Sequence, residues 1–481
     1  MPRRTKIVAT LGPATDAKHV LDEMIQAGMD VVRVNFSHGT HDDHIKRAEN
    51  VRNRARAHGH QVGVLADLQG PKIRIECFKE GMIQLEENDN FTFDTALAAD
   101  AGNREKVGVT YKGLQDDVSR GDTLLLDDGL LVLWVEEVQG TEVRCRVVVG
   151  GRLTNSKGIN RLGGGLSAES LTGKDREDIK VAAAMGADYV AISFPRNAED
   201  INKARELLRA AGGHGGIVAK IERAEALDSL EEIIQASDAV MIARGDLGVE
   251  IGDAELPAVQ KQIIRVARSL DRVVITATQM MQSMIENPIP TRAEVFDVAN
   301  AVIDGTDAVM LSAETAAGRY PAKVIEAMDR ICAGAERQRS TSAAERRINI
   351  RFDRTDEAIA KAAIYTANSL GVKAIAALTE SGATALWMSR ISSGIPIFAM
   401  TRLVETRRKV TLYRGVYPVS FDVTTPDHAT VNKEAIDELM RRGAVRDGDL
   451  VIITKGDLMG VHGGTNAMKI IRVGEHEIME Q

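Results

Sequence analysis

Short apolar runs, each ending in polar or Gly-bearing residues and each followed by a helical pattern, recur along this chain at 7–10, 31–35, 62–67, 189–193, 217–220, 239–243, 273–276 and 308–312. Strands that are apolar on both faces and alternate with helices predict a parallel sheet covered on both sides. About eight such units, with their polar residues gathered where the strands end, predict an α/β fold of the TIM (β/α)8 type. An open doubly wound sheet is the alternative. Between Pro71 and about Leu166 the rhythm changes: runs such as 123–126 and 142–149 are divided by Asp-Gly and Gly-Gly turns, which predicts an all-β insertion after the third barrel strand. Hung over the strand ends, such a domain acts either as a lid or as passive decoration.

A polar stretch at 336–354 separates the barrel from a last α/β unit, with strands expected at 373–378 and 450–454 and a helix at 385–391. The expected division is therefore barrel 1–70, β-rich lid 71–166, barrel 167–345 and C-terminal α/β domain 346–481. A net charge of -8 argues against a general nucleic-acid surface, although it leaves room for a local basic pocket. Cys77, Cys145 and Cys332 are odd in number and lack any CxxC or Cys/His spacing. Neither a disulfide framework nor a zinc site is expected, and a reducing cytoplasm fits best. The basic start Arg3-Arg4-Thr5-Lys6 lacks the apolar length of a signal peptide, and no apolar run long enough to span a membrane follows.

The chemistry concentrates at the strand ends. Lys220 and Glu222 lie two apart at the end of the run beginning at Ile217, so on a strand their side chains share a face. Asp246 closes the next run in the same way. Two carboxylates without nearby His or Cys suit Mg2+ or Mn2+ and leave positions for substrate oxygens; a salt bridge to Lys220 explains Glu222 equally well. Arg33 sits inside the apolar run 31–35, where a guanidinium needs an anion. With Asn35, Ser37 and Asp67 at strand ends or in the loops beyond, it forms a candidate phosphate site, a structural ion pair being the alternative. Gly245, Asp246 and Thr278 offer backbone amides and a hydroxyl suited to a small carboxylate.

Six segments in order, KIVATLGPA (6–14), RVNFSHG (33–39), AKIE (219–222), ARGDLG (243–248), TATQM (276–280) and LSAET (311–315), resemble those of pyruvate kinase. The resemblance runs over almost the full length and includes the insertion after the third strand and the extra C-terminal domain. It implies phosphoryl transfer from phosphoenolpyruvate to ADP, giving pyruvate and ATP. By similarity, Arg33 and Lys220 grip the migrating phosphoryl group, with Lys220, Arg33 and Thr278 catalytic. Glu222 and Asp246 hold the metal, while Gly245, Asp246 and Thr278 receive the carboxylate. Asn35, His38, Arg74 and Lys157 lie near the nucleotide phosphates. A homotetramer is a further family expectation.

One loop departs from the family. Members that need K+ usually read Asp-Thr-Lys-Gly-Pro-Glu after the third strand, whereas this chain reads DLQGPK at 67–72. A lysine ammonium carries the charge of K+, so Lys72 is expected to replace the ion in a site with Asn35, Ser37 and Asp67. The sequence TESGAT at 379–384 sits between a predicted strand and helix, where hydroxyls and helix N-terminal amides bind phosphate, although an N-cap turn also explains it. The resemblance makes Thr379, Ser381, Gly382 and Thr384 an effector-phosphate loop for a sugar phosphate or nucleotide monophosphate, with 460–465 as a second wall. A metal-dependent 2-oxo-acid lyase and a catalytically silent sugar-phosphate sensor are the other function classes; neither accounts for lid, metal pair and phosphate-facing Arg33 together.

Overall fold

The computed structural model of the chain describes residues 3–338, 352–391, 393–422, 428–457 and 463–475. Eight parallel strands close into a barrel: Lys6–Thr10, Val31–Asn35, Gly63–Asp67, Tyr189–Ile192, Gly216–Ile221, Ala239–Ala243, Val273–Ala277 and Ala308–Leu311. Each pairs with its sequence neighbours, and the eighth pairs with the first. The third strand pairs directly with the fourth, so the intervening segment leaves the barrel and returns without interrupting it.

The two-residue period of a strand decides which side chains reach the barrel mouth. Val32 and Val34 pack outward among the helices, whereas Val31 packs inside with Val8 and Leu65. Arg33 and Asn35 follow Val31 on the inner face, one and two steps closer to the C-terminal end. By the same alternation Ile217, Ala219 and Ile221 face the helices and Val218 faces inward, which places Lys220 on the inner face. Register completes the arrangement by setting Arg33 beside Leu65 and Asn35 beside Asp67.

The insertion forms a six-stranded sheet and a separate two-stranded antiparallel pair, Met82–Leu85 with Gly151–Thr154, around its own apolar core that includes Phe91, Phe93, Leu124, Leu133 and Val147. Thr123–Leu126 and Leu131–Gln139 form a hairpin whose turn carries Asp127, Asp128 and Gly129 at positive φ. One short helix, Leu114–Asp117, interrupts the β-structure.

Beyond the barrel, strands Ala374–Leu378, Ile397–Thr401, Val416–Ser420, Leu450–Gly456 and Thr465–Arg472 make a five-stranded sheet that is parallel except for its last, antiparallel edge strand. This unit closes the N-terminal end of the barrel. Val8, Val218, Met241 and Ile275 from the barrel interior belong to one buried apolar cluster with Ala360, Ile364, Ile375 and Met388. Polar groups in the junction are satisfied across it: Tyr189 donates its hydroxyl to the Lys409 carbonyl at 2.7 Å, and Lys6 Nζ donates to the Val416 carbonyl at 2.7 Å. Arg390 and Asp307, both fully buried, form an ion pair there, with Asp307 Oδ2 also accepting from Val274 N at 2.9 Å. No helix among the described residues is long and apolar enough to cross a membrane.

Candidate active site

Four charged side chains meet at the C-terminal ends of the second, third and fifth strands. Arg33 Nε donates to Asp67 Oδ2 at 2.6 Å, and Lys220 Nζ lies 3.3 Å from Asp67 Oδ1 and 2.8 Å from Glu222 Oε1. Neutral groups finish the array. Thr10 Oγ1 accepts from Arg33 at 3.3 Å, Ser193 Oγ accepts from Lys220 at 2.7 Å while donating to the Leu68 carbonyl, and Glu222 Oε2 accepts from Phe194 N at 2.9 Å. Burial on its own would lower the Lys220 ammonium, but Asp67 and then Glu222 outweigh it and hold its pKa above the usual lysine value. Burial would raise Asp67, yet Lys220 and Arg33 keep its carboxyl below the ordinary range. Glu222 moves the other way: burial raises it, Lys220 opposes the rise, and the negative charge of Asp246 adds to it. The site therefore carries two cations, Arg33 and Lys220, and a Glu222 carboxylate that the Asp246 charge repels.

Asp246 lies in the first turn of helix Arg244–Ile251, which begins directly after the sixth strand. Gly245 N donates to Thr278 Oγ1 at 2.8 Å, so the segment after the seventh strand folds back onto this helix start. Thr278 and Gln279 both have positive φ, 67° and 53°. For a β-branched residue that conformation is costly and persists only where the surroundings impose it. Arg244 supplies the constraint by donating to the Ala277 carbonyl at 3.2 Å and the Thr278 carbonyl at 2.7 Å while pairing with Asp297 at 2.7 Å. Between this corner and the lid opens a cleft of about 660 Å³ lined by Gly245, Asp246, Thr278, Ser312 and Glu314 from the barrel and by Leu125, Asp128, Gly129 and Leu162 from the lid.

Lys72 lines that cleft and pairs with Asp246 Oδ1 at 3.1 Å. No hydrogen bond or ion pair joins it to Asn35, Ser37 or Asp67 among the described residues. The loop after the second strand is compact instead, with Ser37 N donating to Asn35 Oδ1 at 3.1 Å and His38 N to the Asn35 carbonyl at 3.4 Å. The neighbouring loop crosses Ser193 at Gly70, whose φ of 66° and backbone position leave no room for a side chain: a Cβ would fall 2.6 Å from that of Ser193. Arg74 and Lys157 lie side by side at the lid root, where Arg74 donates to the Ser156 carbonyl at 2.8 Å and Lys157 pairs with Asp127 at 2.7 Å.

Sequence reasoning passed over several side chains at this mouth. Ser193, at the end of a predicted strand run, had the same signal as Arg33. Lys174 had none: it begins helix Gly173–Ala184 and donates to the Phe36 carbonyl at 2.7 Å, which puts a half-exposed cation against the loop of Asn35 and His38. Arg244 acts through partners 16 to 53 residues away.

In the C-terminal unit, Gly382 N donates to Thr379 Oγ1 at 2.9 Å, Ala383 N reaches Ser381 Oγ at 3.4 Å, and Thr384 shares a 2.9 Å hydrogen bond with Thr465. Gly382, with φ 82°, precedes helix Ala383–Arg390, and a Cβ there would meet Val410 at 2.8 Å. Residues 460–462 of the expected second wall lie outside the described residues.

Comparison with known families decides the identity of this architecture. The model of the pyruvate kinase barrel domain matches residues 2–325, and that of the pyruvate kinase alpha/beta domain matches 357–471. The chain belongs to the pyruvate kinase family. It is 57% identical over 475 residues to pyruvate kinase II of Salmonella typhimurium, covering 98% of this chain and 99% of that protein. It is 54% identical to a pyruvate kinase of Haemophilus influenzae, over 94% of this chain and 96% of that one, and 53% identical to one of Buchnera aphidicola from Acyrthosiphon pisum. As a member of the pyruvate kinase family it is a glycolytic phosphotransferase built on a TIM barrel, with an inserted lid and a C-terminal α/β domain.

Proposed function

We propose that the cleft moves the phosphoryl group of phosphoenolpyruvate to ADP, producing ATP and an enol that takes a proton to become pyruvate. The observation carrying this reading is the largely buried array of Arg33, Asp67, Lys220 and Glu222, with Asp246 near enough for its charge to act on Glu222. Phosphoryl transfer depends mostly on positioning and on stabilising spread negative charge, and two buried cations held by carboxylates are arranged for that task. Lys220 acts as a fixed cation, since the carboxylates keep it charged; Arg33 presents a planar fork to phosphate oxygens. At the neighbouring corner, the Gly245 and Asp246 amides and the Thr278 hydroxyl are assigned to the substrate carboxylate, which takes the place of the hydrogen bond that Gly245 N donates to Thr278 Oγ1. The strained Thr278 backbone, clamped by Arg244, fixes the place of this residue before substrate arrives, with its hydroxyl donating to the Ala277 carbonyl at 2.7 Å until then.

Glu222 and Asp246 fit a hard divalent cation, Mg2+ or Mn2+: both are oxygen donors, and their mutual repulsion is relieved by a cation between them. When bound, the ion supplies positive charge to the transferring phosphoryl oxygens. Asn35, His38, Arg74 and Lys157 are assigned to the nucleotide phosphates, and Lys174 joins them by its position against the Asn35 loop. A coupled assay for pyruvate from phosphoenolpyruvate plus ADP tests the whole reading, and absence of pyruvate from a folded, Mg2+-supplied enzyme refutes it.

Activity is further proposed not to require K+. The Lys72 ammonium supplies a fixed monovalent charge at the cleft, where it pairs with Asp246. Assay in tetramethylammonium buffer checks this: full activity is expected, and a large stimulation by added K+ refutes it. The loop of Thr379, Ser381, Gly382 and Thr384 is proposed to bind the phosphate of a sugar phosphate or nucleotide monophosphate. Substrate titrations should shift with such a ligand and lose the shift in Thr384→Ala. A cytoplasmic homotetramer completes the reading, and light scattering on the purified protein reports the assembly.

A further inference from the structure

The lid returns to the barrel through strand Ile159–Arg161 and the segment up to Leu166. This return chain is fastened to two barrel loops. Arg223 donates to the Leu166 carbonyl at 3.0 Å, Gly165 N donates to Glu225 Oε1, and Gly163 N donates to the Glu250 carbonyl at 2.9 Å. Glu250 makes a further connection with its side chain. Its Oε1 accepts from Asn160 Nδ2 of the lid at 3.4 Å, and its Oε2 accepts from Ala224 N at 2.9 Å.

The position of Glu250 gives this bridge its meaning. It stands one helical turn after Asp246 on helix Arg244–Ile251, and its partner Ala224 stands two residues after Glu222. Glu250, Asn160, Lys72 and Asp246 all line one small cavity beneath the lid root. The location is electrostatically unfavourable: Glu250 is only 5% exposed, and burial, with the Glu225 charge adding, pushes its carboxyl up to about 7. The carboxylate is nonetheless the acceptor that links the Ala224 amide of the barrel to the Asn160 side chain of the lid.

We propose that Glu250 is a positioning residue that fixes the height and tilt of the lid over the cleft, by holding Asn160 of the returning chain to the loop that follows Glu222. It touches neither substrate. Residues assigned to phosphoenolpyruvate all sit on the barrel, whereas Arg74 and Lys157, two of those assigned to ADP, travel with the lid root, so loosening this bridge weakens the hold on ADP more than that on phosphoenolpyruvate. The inference goes beyond the proposed reaction and rests on that assignment of the two substrates.

The test compares Glu250→Ala, Glu250→Gln and Asn160→Ala in the full-length enzyme, with phosphoenolpyruvate affinity measured without nucleotide by titration calorimetry. Glu250→Ala is expected to lower kcat about tenfold and raise the ADP KM severalfold, with phosphoenolpyruvate affinity within about twofold of wild type. Glu250→Gln keeps an acceptor for Ala224 N, and the Asn160 amide can turn to accept from it, so near-wild-type kinetics are expected. Asn160→Ala, which removes the lid arm while leaving Glu250 in place, should shift the same two parameters less. The double variant should be no worse than Glu250→Ala. Unchanged kcat and ADP KM in Asn160→Ala overturn the proposal. Equal losses for both substrates in Glu250→Ala, or no recovery in Glu250→Gln, reduce Glu250 to a structural role and also overturn it. Absence of pyruvate formation by wild type would fail the reaction itself and is separately visible.

Discussion

Replacing Lys220 by methionine removes one charge from the centre of the array while keeping a side chain of similar length. At an effective dielectric of 20, a charge 2.8 Å from Glu222 Oε1 is attracted by about 6 kcal/mol, and one 3.3 Å from Asp67 Oδ1 by about 5 kcal/mol. These gross attractions are offset by burial and by Arg33, yet their balance keeps Lys220 charged. The same law gives about 4 kcal/mol for a cation some 4 Å from a phosphoryl oxygen, which corresponds to about 10³-fold in rate. Lys220→Met is therefore expected to lower kcat by about 10³-fold in the coupled pyruvate assay. ADP binding, measured by equilibrium dialysis, should stay within about threefold, because the nucleotide is assigned to Asn35, His38, Arg74 and Lys157. Asp67 keeps Arg33 at 2.6 Å, but Glu222 retains only the Phe194 amide and rises further, so Mg2+ activation should require more metal at lower pH. A kcat within tenfold of wild type, or an ADP affinity that falls as far as kcat, refutes the reasoning.

Other expectations concern charge elsewhere. Asp188 is buried, and its carboxyl is pushed up to about 6 by burial, so folding favours its protonated form; its contribution is present below about pH 4 and lost as pH rises through 6. Asp188→Asn, which keeps an acceptor for Val64 N, should flatten urea-midpoint stability between pH 4 and 6 and equal or exceed wild type at pH 8; an unchanged slope counts against the assignment. Arg390→Met leaves Asp307 buried without its guanidinium and should cost about 3–5 kcal/mol in urea unfolding, while a loss under 1 kcal/mol contradicts the pairing. Lys72→Glu puts a carboxylate beside Asp246 and should create K+-stimulated activity; indifference to K+ would show that this ammonium does not serve as the monovalent charge.

The barrel was readable because a strand buried on both faces leaves an unbroken apolar run, and a polar residue that ends such a run has no place except the mouth. Arg33, Asp67 and Lys220 were visible for that reason. The insertion announced its turn at Asp127 to Gly129, but the parallel pairing of Asn90–Asp94 with Lys106–Val107 leaves no local trace. Arg244, Lys174 and Glu250 were hidden for a related cause: each acts on carbonyls or amides of distant loops, and backbone groups carry no sequence signature. Lys72 shows the limit of a substitution read without geometry, since its charge was legible and its partner was not.

The floor of the barrel belongs to two modules at once. Sequence matching divides the chain between residues 325 and 357, yet the cluster uniting Val8, Val218 and Ile275 with Ile364, Ile375 and Met388 has no seam at that boundary. A catalytic half made without its C-terminal sheet would present an apolar plate and an unpaired Asp307 to water, inviting aggregation. Any gene fusion, truncation or domain exchange in this chain must therefore carry the floor with it, because the unit of inheritance is smaller than the unit that folds.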